Sequence, residues 1–178
     1  MNALINRLVD PVPALGHSGN EFMPLAARLV FAGTLFMYFW SSAKTKLAGV
    51  FTIDFGAYAQ IFPKKFEAVG YDLSQMSALD SLIVYAAAYG EFVLPLLIVI
   101  GLFTRLSALG MIVFVIVQSL TDIYGHGVDE KTIGAWFDRF SDSLIVDQRS
   151  LWVFLFLYLI FYGAGSLSVD RVLGGRAT

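Results

Sequence analysis

Apolar and polar positions in this chain fall in long blocks rather than in a short repeat. Four apolar runs stand out: Leu25 to Ala43, Ser81 to Phe103, Leu106 to Leu120 with an extension to Tyr124, and Leu151 to Leu167. As a helix rising about 1.5 Å per residue, the second run, SLIVYAAAYGEFVLPLLIVIGLF, spans roughly 30 Å, the thickness of a bilayer's hydrocarbon core. The blocks predict an all-α integral membrane four-helix bundle, with spans at about 25–43, 81–103, 106–124 and 151–167 in a single domain over 1–178. The short stretch GLFTR between the second and third runs predicts a tight antiparallel hairpin. Pro24 precedes the first run, where an opening helical turn tolerates proline.

Two long connections separate the runs, Lys44 to Asp80 and Asp122 to Ser150. Structureless loops of that length are uncommon. The first carries Phe51, Phe55, Tyr58, Ile61 and Phe62. The second carries Trp136, Phe137, Phe140 and Leu144 at the spacing of one helix face. Short amphipathic helices lying on the membrane are therefore expected in both connections. Residues 1–13 predict another, with Leu4, Ile5, Leu8 and Val9 on one face. The first apolar run is long and lacks a small-residue ending, so a cleaved leader is not expected.

Composition sharpens the class. Of 178 residues, 57% are hydrophobic and 15% charged, against about 25% charged in soluble domains. The absence of cysteine excludes disulfides, Cys-ligated zinc and Cys-ligated iron–sulfur clusters from this chain. A net charge of −2 argues against a nucleic-acid partner, and two histidines give poor support for an all-protein metal site. Four spans put both termini on one side. Raw Lys/Arg counts favour the opposite side, seven to five, but the short GLFTRLS segment and the basic C-terminus point to the cytoplasm. Both termini are thus expected inside, with the acidic connections outside.

Within this apolar frame a few polar residues invite chemistry. Glu91 lies mid-span, where a carboxylate costs a few kcal/mol unless protonated, paired or wetted. It is either a proton-handling or ligand-anchoring group, or a structural carboxylate paired across helices. Pro95, four residues on, removes the hydrogen bond to the Glu91 carbonyl and predicts a kink there. Arg28 is placed to neutralise Glu91 or an anionic ligand, or else to snorkel to the head groups. Tyr85, Tyr89 and Gln118 add polar groups to the spans, or simply pack. Lys46, at the outer end of the first span, is an interfacial anchor or a site residue. Asp122 and His126 are four apart, a spacing that on a helix suits a proton relay, although Gly125 and Gly127 favour a loop there. Ser168 and Asp170 are read as ending the last span.

Several of these residues carry a family resemblance. Glu91 followed by an apolar run and then Gly101, Leu102 and Arg105 resembles the middle of the DoxX family of small four-helix bacterial membrane proteins. Arg28 and the Lys46–Leu47 pair fit the family's first span. Gly163, Gly165, Ser168 and Asp170 resemble its closing Gly-x-Gly-x-x-Ser-x-Asp pattern. The similarity extends over about residues 24–173. Ser42 and Ala43 stand where the family often has a glycine, and TDIYGH and VDQRSLW resemble a proteobacterial branch. The resemblance implies residence in the bacterial inner membrane. It also implies association with redox systems: one archaeal member is a subunit of a thiosulfate:quinone oxidoreductase, and a mycobacterial member sits in a redox-protective complex. The expectation is an inner-membrane subunit or accessory of a redox system, with a quinone as the possible ligand at Glu91 and a protein partner supplying electrons. The alternatives are a non-catalytic anchor for soluble partners, or a small-solute or metal-complex transporter. Small residues Ala86, Ala87, Ala88 and Gly90 also permit a homo-oligomer.

Overall fold

The apolar blocks fold as helices because a chain in hydrocarbon must satisfy its backbone groups internally. The structure is a computed structural model that describes residues 16–173, with side chains from residue 22; the helix expected over 1–13 lies outside the described residues. Helices α1 (Gly16–Thr34) and α2 (Phe36–Lys44) replace the first apolar run. Then come strands β1 (Leu47–Gly49) and β2 (Thr52–Ile53), followed by α3 (Phe55–Ile61) and α4 (Pro63–Ala68). The long helices are α5 (Ala78–Ile100) and α6 (Thr104–Leu120); after the short α7 (Glu130–Ile133) come α8 (Arg149–Tyr162) and α9 (Val169–Leu173). With the wide turns at 121–126 and 144–148, three helices are long and apolar enough to cross a membrane. The α1–α2 pair makes a fourth if counted as one bent span.

The first run, expected as one span, is two helices bent by 42° between Thr34 and Phe36. Thr34 Oγ1 donates back to the Val30 carbonyl, a local bond that bends helices, and Gly33 weakens the same turn. α5 is one continuous helix with Pro95 inside it. The last span starts earlier than expected, at Leu144, and ends at Tyr162, where Gly163 takes a left-handed φ of 75°.

Phe31, Leu35 and Phe39 meet Ile98, Met111, Val115, Phe156 and Leu159 in the main core. Facing outward, Leu82, Val93, Leu106, Val113, Phe154 and Phe161 stay exposed. So broad an apolar surface has its solvent in lipid.

The expected hairpin between α5 and α6 forms through two left-handed residues, Gly101 (φ 70°) and Phe103 (φ 48°). The Leu102 amide returns to the Leu97 carbonyl at 2.9 Å, closing the helix end. Asp170 does not end the last span as expected. Its carboxylate accepts from the Phe103 and Thr104 amides, 2.6 and 3.0 Å away, and so caps α6. Asp170→Ala is therefore expected to cost about 1 kcal/mol. A melting curve in detergent should fall by roughly 2–4 °C. An unchanged curve would remove Asp170 from the cap.

The connections differ from expectation in detail. Short helices do occur in the first, but a β-hairpin precedes them, with Leu47 opposite Ile53. Ala57, Tyr58 and Phe66 pack on Val84 of α5 in a second small core. Lys65 pairs with Asp80 at 2.6 Å, and Asp80 also completes a capping box with Ser77. In the second connection no helix forms over 136–143. Phe137 adopts φ 64°, and the Asp138 side chain accepts from the Phe140 amide, turning the chain instead.

Candidate functional site

Lys46 sits just past α2, and α5 passes beside it with Glu91 facing inward. The two meet directly: Lys46 Nζ lies 2.8 Å from Glu91 Oε2, and both are more than nine-tenths buried. Ser42, one turn before Lys46, completes a triangle. Its hydroxyl donates to Glu91 Oε1 at 3.0 Å and accepts from Lys46 Nζ at 2.8 Å. The i, i+4 spacing of Ser42 and Lys46 puts both on the side of the chain that meets α5. A buried ion pair of this kind persists only where hydrogen bonds complete it.

Arg28 is not part of this triangle. Its guanidinium donates to four backbone carbonyls at the other end of the molecule. These are Ile98 and Val99 at 2.9 and 2.7 Å, and Ala164 and Leu167 at 2.9 and 2.6 Å. It neither neutralises Glu91 nor snorkels outward. It ties the end of α5 to the chain after α8, where five N–H donors in a rigid fork can reach several acceptors at once.

A cavity of about 210 Å³ lies against the triangle. Its polar lining includes Ser42, Lys46, Gln60, Glu91, Gln118, Thr121, Asp122 and His126, and Ile61, Ile83, Ala87, Phe114 and Val117 supply apolar wall. Five of the residues singled out from the sequence thus converge on one space: Glu91, Lys46, Gln118, Asp122 and His126. Gln118 donates to the Tyr38 hydroxyl at 2.9 Å, while its carbonyl Oε1, among the described residues, has no hydrogen-bond partner. Asp122 and His126 lie on a wide helical turn, Thr121–His126, that ends at left-handed Gly127, so the loop expected at His126 begins one residue later. They do not meet as a pair. Asp122 binds Arg149 at 2.6 Å, and His126 Nε2 lies 3.0 Å from the Gln60 carbonyl, to which it donates.

Tyr85 and Tyr89 lie elsewhere. Their rings stack, and their hydroxyls donate to the carbonyls of Phe51 and Val50 at the tip of the β-hairpin. Sequence reasoning missed three residues here. Ser42 was legible as the i−4 neighbour of Lys46. Gln60 comes from the first connection, and Arg149 from the flank of an apolar run, and neither carried a signal of its own.

Long apolar helices around a buried Lys–Glu pair define a multi-span membrane protein. A sequence model of the DoxX family matches residues 23–121, more than half of the chain, and the protein belongs to that family. Ser42, Lys46, Gln60, Glu91 and Gln118 fall inside the matched stretch, whereas Asp122 and His126 fall just beyond it. No curated protein and no solved structure gives a significant match.

Proposed function

We propose that this chain is a four-span subunit or accessory of a redox system in the bacterial inner membrane, with both termini cytoplasmic. On this reading the Lys46–Glu91 cavity binds the polar head of a small lipid-soluble ligand. The observation that carries it is the convergence of a buried ammonium, a carboxylate and a hydroxyl on a cavity with mixed polar and apolar walls. Membrane-embedded ionisable groups are costly and tend to be functional.

A quinone head fits this donor set. Lys46 Nζ offers a donor for a carbonyl oxygen in place of its long 3.3 Å bond to the Ser42 carbonyl, and Phe114 and Val117 offer apolar wall. When bound, a quinone supplies two-electron, two-proton chemistry, with electrons delivered by a partner protein. The chain's own part is to hold an exchangeable proton between Lys46 Nζ and Glu91 Oε2, 2.8 Å apart, next to the bound oxygen.

The test is mass spectrometry and absorbance of protein purified in mild detergent. A stoichiometric quinone or other redox-active small molecule is expected in the wild type and absent from Glu91→Gln, with helical content unchanged. A ligand retained in Glu91→Gln would end this reading. A ligand-free wild type that captures a soluble partner, with Glu91→Gln merely melting earlier, would put an anchoring role in its place.

A further inference from the structure

The Lys46–Glu91 cavity has two rims, and they are built differently. On α5 its wall is Ile83, Ala87 and Glu91, four residues apart and so on one helix face; on α6 it is Phe114, Val117 and Gln118. The cavity is thus a cleft between the two arms of the α5–α6 hairpin. Toward the hairpin turn the arms close on each other: a Cβ on Gly110 would lie 3.1 Å from Leu94 Cδ1. Away from the turn the cleft ends under the first connection. There Gln60 is held twice, its carbonyl by His126 at 3.0 Å and its side chain by Thr45 Oγ1 at 3.3 Å. The packing is tight as well, since a Cβ on Gly125 would lie 2.8 Å from Pro63 Cγ. This polar rim is latched.

The rim along the cleft has no such latch. Ile83 and Val117 line the cavity and yet are 39% and 52% exposed. Side chains that border both the cavity and the outside are what separates the two. Both are aliphatic, so van der Waals contact alone holds them across the cleft, and exposed side chains change rotamer within nanoseconds. Their neighbours one turn away, Leu79, Val113 and Leu120, are exposed and apolar too. The surroundings of this rim are therefore suited to hydrocarbon, whatever the depth of the helices in a bilayer.

We propose that the cleft between α5 and α6 is a lateral portal, gated by Ile83 and Val117, through which the ligand of the Lys46–Glu91 site enters from the lipid phase. The proposal rests on that cavity being the ligand site, and it narrows the ligand class. A space of about 210 Å³ takes a polar head alone. The ligand is a head joined to an apolar tail, and the tail stays in the portal while the head reaches Glu91. A polar solute arriving from water meets the latched rim instead.

The chain has no cysteine, so Ala87→Cys places a single thiol inside the portal. The experiment labels this full-length variant in dioleoyl phosphatidylcholine nanodiscs, which leave both faces open to reagent. One reagent is a dodecyl maleimide, dissolved in the bilayer; the other is a sulfonated maleimide, confined to water. The dodecyl reagent is expected to label faster, and adding Val117→Trp or Ile83→Trp should slow it about tenfold or more. Leu106→Trp, an equally exposed apolar position outside the cavity, should leave the rate unchanged. Equal labelling by the two reagents, or a rate indifferent to both portal tryptophans, would overturn the portal. Decylubiquinone is then added as competitor. Protection of the thiol by it supports portal and ligand site together, whereas gated labelling without protection keeps the portal and removes the quinone.

Discussion

Lys46→Met is expected to destabilise the protein by about 3–5 kcal/mol, because it leaves the Glu91 carboxylate buried with Ser42 as its remaining partner. In a detergent melt this should appear as a fall of roughly 10 °C or more. The informative comparison is the double variant Lys46→Met, Glu91→Leu. Removing both charges replaces a desolvated ion pair by apolar packing, which is often neutral or stabilising. Most of the lost stability should therefore return in the double variant. If the cavity binds a polar head, binding should not return with it. A double variant that melts normally and still retains the ligand would make the pair a structural tie and nothing more. A single variant that melts like the wild type would show that Lys46 and Glu91 are not coupled at all.

Arg28→Met is the second large effect. It removes the charged donor from four carbonyls at once, those of Ile98, Val99, Ala164 and Leu167, on two separate parts of the chain, and of these Ile98 keeps the Gly101 amide at 3.1 Å. Bonds to a charged donor are worth about 1.5–3 kcal/mol each, and partial rescue by water at this end of the molecule brings the expected loss to around 3 kcal/mol. Arg28→Lys should recover only part of it, since one ammonium cannot copy a planar fork. Space is equally tight around the guanidinium: a Cβ on Gly101 would lie 2.8 Å from Arg28 Cζ and 2.6 Å from Ser168 Cβ. Amide hydrogen exchange reads the local effect. Residues 98–104 should exchange faster in Arg28→Met while the middle of α6 keeps its protection. Uniform acceleration along all helices would mean that Arg28 supports the whole fold rather than this junction.

The helices and the depth of Glu91 were legible because hydrocarbon imposes one solution on apolar runs of that length. Pairing across helices was not, because it depends on rotation about each axis. Arg28 and Lys46 were both cationic and both near span ends, and only the packing of α2 on α5 assigns the carboxylate to Lys46. The bend at Leu35 was hidden for a related reason, since Thr34 and Gly33 are unremarkable residues within a span. The β-hairpin was invisible because Val50–Phe51 at its tip is no recognised turn pair. The aromatic spacing at 136–144 misled outright. Periodicity records which side chains would share a face if a helix formed there, and the left-handed conformation at Phe137 prevents it.

The cavity's lining is drawn from two kinds of chain. Ser42, Lys46 and Glu91 belong to the long helical frame, whereas Gln60 and Ile61 come from α3 in the connection, held in place by His126. The charged floor and the cover over it are thus encoded separately. Substitutions at Gln60 or Ile61 would change the size and polarity of the cavity without touching the Lys46–Glu91 pair.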